Sequence, residues 1–408
     1  LKRFRQSGQK TQHPYRCRAR RMYRTPLISR LNAMREPRRN EPCWCGSGLK
    51  HKRCHMILNH AEYFKLSDHL KAEKKHRSKK YCLHPRADEN ECKGNIVNAH
   101  TVQRVGLAQI AEDGHVCTFH QDANSLRTAT RKEELFSVRN IGTKRASTFS
   151  GFCEKHDNQT FRPVEDQEFT CCAEHAFLLG YRALCRDLFA KTAIKALERS
   201  YLMPVAGQTV REQETTRRLA EIFIKRTELE HRDLSLMKAD YDRILERRDY
   251  NDIKYYAVMF EHCPDVMCSG SFWPEFDFAG QRVQTHDKPN PEGMQFSLIA
   301  TRTGGAAVFT WLERTQACER FLASLNETTD EHLPSAILRF TFEYFENTFF
   351  RPSWWKNLAD DERTHLHKRM AMVNSVWGEP EPNCLADDGL RVVQWRISSR
   401  EINSTIST

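Results

Sequence analysis

No apolar run of about eighteen residues occurs in this chain of 408, so the sequence offers no helix to cross a membrane. Charges occupy the N-terminus where a secretory signal places an apolar stretch. Neither a GxxxxGK(S/T) phosphate loop nor a GxGxxG turn occurs, so nothing points to ATP or a nicotinamide cofactor. Internal repeats and low-complexity tracts are missing as well. These absences lead to the expectation of a cytoplasmic protein without membrane insertion, long enough for two or three domains and a sizeable core.

Acidic residues are also missing from positions 1–33, which carry ten Lys or Arg. Positions 1–80 hold 23 Lys or Arg against 5 Asp or Glu, a net of +18, so the remaining 328 residues of this +11 chain net −7. Without positions 1–33 the total falls to +1, and the high overall charge by itself no longer argues for nucleic acid. That segment is read as a disordered basic arm able to meet phosphate backbones, or as a spurious extension ahead of Met34. Fifteen cysteines suggest disulfides at first sight. Eleven lie in the first 185 positions, however, and several stand at metal-ligand spacings, which fits a reducing compartment better.

The most informative stretch runs from Arg39 to His55. Cys43 and Cys45 flank Trp44, and Cys54-His55 follow after eight further residues. Three thiolates and one imidazole form a closed tetrahedral set for zinc, with no position left for a substrate. Gly46-Ser47-Gly48 lets the chain reverse, while Lys50, Lys52 and Arg53 offset part of the thiolate charge. The segment resembles the SEC-C motif, the zinc knuckle at the C-terminus of the secretion ATPase SecA and in many other bacterial proteins. That resemblance implies a bacterial protein with zinc on Cys43, Cys45, Cys54 and His55, and a docking surface for protein or nucleic acid. It implies no reaction.

A second set of potential ligands lies in positions 82–165: Cys82, His84, Cys92, His100, Cys153 and His156. Cys82 and Cys92 bracket nine residues, and Cys153-Glu154-Lys155-His156 supplies a later CxxH pair. A compact zinc finger would unite Cys82, Cys92, Cys153 and His156 around an expanded loop, with His84 as a substitute ligand. His100 ends an Ile-Val-Asn-Ala-His run where a strand passes into a helix. This run and the later Gly151–Phe161 segment distantly resemble HNH nucleases, which carry a catalytic His on a zinc-stabilised ββα finger. Carried across, His100 would be the general base. Asp157 or Asn158 would hold Mg²⁺ or Mn²⁺ against the scissile phosphate. Alternatively, His100 packs or caps the finger, or is itself a zinc ligand.

Other chemistry is poorly supported. Cys171-Cys172 near His175 lack a partner to orient a base, so burial is expected for these thiols. Asp157, Glu165 and Asp166 read as solvated acids. The aromatic residues of Pro274–Phe278, Phe349-Phe350 and Trp354-Trp355 read as core.

Periodicity predicts a polar helix within Ile57–Lys80, a strong helix at Ala173–Leu202 and a charged one from Val210 to Arg248. The two long helices would form a hairpin turned near Pro204 and Gly207. Leu219, Ile222, Phe223, Leu229 and Leu236 would be the packing stripe of the second. Strands are predicted at Lys254–Phe260, Phe296–Thr301, Ala306–Trp311 and Arg391–Ile397, with turns at Cys268–Ser271, Phe278–Gly280 and Gly304-Gly305. Helices are predicted at Gln316–Leu325, Leu333–Phe349 and Trp354–Val376.

The expected fold is α+β and multidomain. Its parts are the extension 1–33, the SEC-C knuckle 34–56, a basic helix 57–81, a second zinc-binding, HNH-like unit 82–172 (ββα or treble-clef-like), a helical hairpin 173–249 and an α+β domain 250–408. The expected function is zinc-organised binding of a macromolecule, with nucleic acid favoured over a protein partner by the cations of positions 50–80. The rival is a metal-dependent endonuclease built on His100. The sequence leaves oligomeric state and the role of positions 250–408 open.

Overall fold

The computed structural model describes residues 38–43, 47–54, 64–121, 136–203, 210–285, 290–373 and 381–404. Its architecture is mixed α+β and divides into two units, Leu1–Lys65 with Arg199–Ile222, and Leu66–Glu198 with Phe223–Thr408. Residues 1–33, Met34 and the expected turn at Pro204 and Gly207 lie outside the described residues. No helix among those described is long and apolar enough to cross a membrane.

The second unit opens with α1 (Leu66–Arg77), whose last turn gathers Lys74, Lys75, His76 and Arg77 at the negative end of the helix dipole. Next come β1 (Ile96–His100), α2 (Arg104–Ile110), β2 (His115–Gln121), β3 (Phe136–Gly142), β4 (Thr148–Cys153) and α3 (Glu154–Glu165). β1 and β4 pair antiparallel, placing Ile96 opposite Cys153 and His100 opposite Thr148. Since α3 follows β4 at once, the order strand, strand, helix is present. Two further strands, β2 and β3, are inserted between its first two members.

Those inserted strands belong elsewhere. With β5 (Ile253–Phe260), β6 (Val266–Phe272), β7 (Met294–Ala300), β8 (Gly305–Leu312), β9 (Thr348–Phe350) and β10 (Ile397–Ile402) they form an eight-stranded sheet. Its order is β10-β5-β8-β7-β6-β9-β2-β3, and every pairing in it is antiparallel. Positions 82–172 and 250–408, read from the sequence as separate, therefore share one sheet.

The sheet is covered on both faces. Tyr256, Val258, Phe260, Phe296, Leu298, Phe309 and Trp311 point into one core. There they meet α7 (Gln316–Asn326) and α8 (Leu333–Tyr344), counting α4 (Ala173–Lys195), α5 (Glu198–Tyr201) and α6 (Val210–Arg247) before them. Ala257, Ile299, Ala306 and Val308 point the other way, into the core built by α4 and the C-terminal half of α6. Burial on both faces explains why β7 and β8 are apolar almost throughout instead of alternating. The same sandwiching explains α4, which is buried around most of its circumference between the sheet, α1 and α3.

Several predicted elements shift, each for a tertiary reason. Cys268–Ser271 is the middle of β6, not a turn. Its small residues reflect close packing, since a Cβ on Gly270 would stand 2.6 Å from the Phe345 ring. The predicted helix Leu333–Phe349 stops at Tyr344, and Thr348–Phe350 instead becomes the short strand between β6 and β2. Trp354–Val376 resolves into α9 (Pro352–Asn357) and α10 (Asp360–Val373). The last strand starts at Ile397, where Arg391–Ile397 had been expected.

On α6 the inner face is Leu234, Met237, Tyr241 and Ile244, all buried, whereas Ile222, Leu229 and Leu236 are 37–51% exposed. The stripe predicted to pack is thus largely the outer face. The aromatic residues of the C-terminal region do form core, with Trp354 and Trp355 packed against it.

Candidate metal centre

Around the first ligand set the backbone closes on itself locally. Cys43 N–H donates to the Leu49 carbonyl (2.7 Å) and His51 N–H to the Glu41 carbonyl (2.8 Å), with Pro42 bridged to Lys50 across a tight reversal. Gly48 sits in that reversal at φ +72°, a conformation that costs a residue with a Cβ about 1–2 kcal/mol. A 3₁₀ turn, His51–Arg53, then brings up Cys54, whose Sγ lies 3.4 Å from Ser47 Oγ. Cys45 and His55 lie outside the described residues.

The second set is assembled from three separated segments. Leu83 N–H donates to Gly151 O (2.8 Å) and Tyr81 N–H to Ser150 O (3.4 Å), so the segment carrying Cys82 runs alongside β4 and reaches its end near Cys153. Asp88 accepts the N–H groups of Asn90 and Glu91 (2.7 and 2.6 Å), an Asx-type turn that swings Cys92 inward. The N–H groups of Glu154 and Lys155 then donate to the carbonyls of Asn95 and Lys93, pinning the start of α3 to the same turn. Gly94 makes this approach possible, because at φ +72° a Cβ there would sit 2.5 Å from a Glu154 carboxylate oxygen.

As a result, the ligand atoms of Cys82, Cys92, Cys153 and His156 all lie within 4.8 Å of one another. From His156 Nδ1 the three sulfurs stand at 3.4 Å (Cys82), 3.8 Å (Cys92) and 3.3 Å (Cys153). Sulfur and nitrogen donors bound tetrahedrally to one small ion stand about 3.5–3.8 Å apart, given metal–ligand bonds of about 2.3 and 2.0 Å. The arrangement therefore fits a metal ion. Among the described residues it is the one such gathering of three or more His, Cys, Asp or Glu side chains.

The electrostatics agree with the geometry. Burial and the neighbouring Cys82 push the Cys92 thiol up to about 12, and burial also raises Cys82. Burial works against ionising Cys153 too, but N–H groups of His156 and Lys93 directed at its sulfur more than offset this and hold it below the usual thiol range. Burial lowers the pKa of His156, which keeps its ring neutral and able to donate a lone pair. Without an ion, burial thus keeps Cys82 and Cys92 protonated, and a divalent cation entering between the sulfurs would displace those protons as it binds. His84 does not enter as a fifth ligand: its ring lies flat on that of His156, with centroids 3.9 Å apart and planes at 6°.

The nuclease candidates are placed differently. His100, at the end of β1, is half-buried, and its Nε2 lies 3.1 Å from the Thr143 carbonyl. A carbonyl only accepts, so Nε2 carries the proton and Nδ1 holds a free lone pair. Burial lowers the His100 pKa, with Arg182 and Arg104 adding to the effect against the Thr143 hydrogen bond. Asp157 does not stand ready for a cation: Arg182, only 2% exposed, bonds it at 3.4 Å and Glu165 at 2.6 Å, and stacks on Phe161 at 3.8 Å. Asn158 is exposed on α3.

The sequence reading overlooked Arg182. Its signal was a lone arginine inside the apolar run Phe177–Cys185. The other candidate thiol, Cys171, is pushed up to about 11 by burial, which makes it a poor nucleophile.

No curated protein and no solved structure matches this chain. The family model of the SEC-C motif matches residues 39–57, a span that includes Cys43 and Cys54, so the chain carries a SEC-C motif there.

Proposed function

We propose that this protein is a zinc-organised binder of nucleic acid, with one zinc on Cys43, Cys45, Cys54 and His55 and a second on Cys82, Cys92, Cys153 and His156. The reading rests above all on the spacing of the second set, three sulfurs at 3.3–3.8 Å from one imidazole nitrogen. Three thiolates and an imidazole favour zinc over harder cations. Both sets are closed, which suits an architectural role better than catalysis at the metal. The exposed cations Lys74, Lys75, Lys79 and Lys80 lead directly into Cys82, so the second centre fixes one end of a basic strip of the kind that phosphate backbones attract.

Metal content and binding test the proposal together. The purified protein should hold two zinc ions, and should bind single- or double-stranded DNA or RNA with an affinity that falls steeply with salt. Two zinc ions with no nucleic-acid binding at any salt would redirect the reading to a protein partner. Zinc missing from the second set would end it.

A second reading is favoured by one observation, the neutral His100 with Nδ1 unprotonated, as a general base requires. In that reading the protein is an HNH-like endonuclease, with the exposed Asn158 holding Mg²⁺ or Mn²⁺, since Asp157 is tied to Arg182. Metal-dependent cutting of DNA or RNA, abolished in His100→Ala at unchanged zinc content, would replace the first reading. No cutting by either protein is the result expected from a binder.

A further inference from the structure

We propose that His84 is a positioning residue for the second metal centre, clamping the ring plane of His156 so that Nδ1 points at the three sulfurs. This rests on the reading of Cys82, Cys92, Cys153 and His156 as ligands of one ion.

The direction of an imidazole donor is set by its ring plane, because the lone pair lies in that plane. The torsion that turns the ring joins an sp³ to an sp² carbon and has a broad, shallow profile. A ligand histidine therefore needs an outside contact to hold its orientation, and usually finds it in a hydrogen bond from the second nitrogen. Here the contact is a face. The His84 and His156 rings are parallel to 6° at a centroid distance of 3.9 Å, ordinary contact between two flat rings.

His84 is itself fixed from two directions. Arg86 N–H donates to its Nδ1 (3.2 Å), and Ala87 N–H donates to its carbonyl (2.9 Å), closing a turn around the residue. With Nδ1 engaged by the backbone and the ring lying face-on, His84 offers no lone pair to an ion between the sulfurs. Two residues earlier Cys82 enters the centre, on the segment that Leu83 N–H ties to Gly151 O beside β4 (2.8 Å). A single backbone register thus delivers a ligand at Cys82 and a ring clamp at His84. The end of β4 delivers Cys153 and the first turn of α3 delivers His156 from the other side.

The test is a Co²⁺ titration of the full chain carrying Cys43→Ser and Cys54→Ser, so that the second centre alone reports. In that background the thiolate-to-cobalt absorption should appear at one equivalent. His84→Ala should weaken Co²⁺ and Zn²⁺ affinity about tenfold to a hundredfold, the range for groups that orient a ligand. His84→Phe, which keeps a flat face and removes both nitrogens, should restore affinity to within about threefold of His84, with unchanged cobalt absorption.

Unaltered affinity in His84→Ala would overturn the proposal. So would His84→Phe as weak as His84→Ala, since a nitrogen would then be what matters. Absence of the cobalt signal when His84 is intact would remove the metal centre itself, and with it this role; that result is distinguishable from the other two.

Discussion

The two cysteine-histidine sets use similar donors and are built in opposite ways. The first spans Cys43 to His55, and its described backbone closes through hydrogen bonds between residues a few positions apart, such as Cys43 to Leu49. The second joins Cys82 to His156 through three segments whose meeting depends on β4, the Asp88 turn and the start of α3. A short-range site folds with its metal and with little else. A long-range site is held in place by the surrounding fold, and an ion bound there would stabilise that fold in return.

Removing one ligand from each set should expose this difference most strongly. Cys153→Ser should lower the main thermal transition by roughly 10 °C, because Cys153 ends β4 and starts α3 inside a packed core. Cys43→Ser should release one metal ion and move that transition by less than about 1 °C. Equal shifts in calorimetry would show that the two sites are not local and long-range as described.

Arg182→Met tests whether the second centre depends on its supports. The substitution leaves the carboxylates of Asp157 and Glu165 without their buried partner and should cost about 3 kcal/mol in denaturant unfolding. The first set should keep its metal affinity in the same variant, which a chelator competition would check.

Acid extends the comparison to a cluster of charges that ties Asp388 to α8 and α10 beside the core residues Leu366, Met370 and Leu385. Asp388 accepts hydrogen bonds from His365 (2.7 Å), Arg369 (2.5 Å) and Arg339 (3.3 Å), the last being 5% exposed. Burial alone would raise the Asp388 carboxyl, but the His365 hydrogen bond and the charges of Arg369 and Arg339 hold it well below the usual range. A folded-state pKa below the unfolded value means that this contribution is complete above about pH 4 and is lost as pH falls through the depressed value. Asp388→Asn should therefore cost about 2 kcal/mol at pH 7 and flatten the acid limb of a stability–pH curve. An acid limb as steep as before would assign that limb to other carboxylates.

The smallest contrast lies in two glycines. Gly48 and Gly94 both have φ +72°, but a Cβ on Gly48 would meet nothing within 4 Å, whereas one on Gly94 would meet Glu154. Gly48→Ala should cost about 1 kcal/mol and Gly94→Ala about 2, with the loss of metal confined to the centre each glycine serves. Equal costs would mean that Glu154 moves aside freely.

What could be read from the chain follows the same division. The four side chains that gather in the second set could be picked out because Cys and His are scarce and their spacing is informative even without contacts. The lone Arg182 was missed, since burial between Asp157 and Glu165 becomes visible only once α3 lies on α4. Helix α4 was legible because Phe177, Leu178, Tyr181, Leu184, Leu188 and Phe189 recur at helical spacing, a pattern that needs no partner to be recognised. On α6, Leu229 and Leu236 misled because helical spacing defines a face but not which way it turns. At Cys268–Ser271 small residues that signal a turn in isolation signal close packing against Phe345 in the sheet.

The sequence by itself determined the SEC-C segment, the donor set of the second centre and most of the long helices. Each depends on residue types and on interactions over a few positions. Only the tertiary structure decided that β2 and β3 leave the β1–β4 pair for the large sheet, that Asp157 is tied to Arg182, and that His84 lies flat on His156. Those outcomes depend on which distant surfaces bury each other, a choice made by the whole chain and encoded in no single stretch of it.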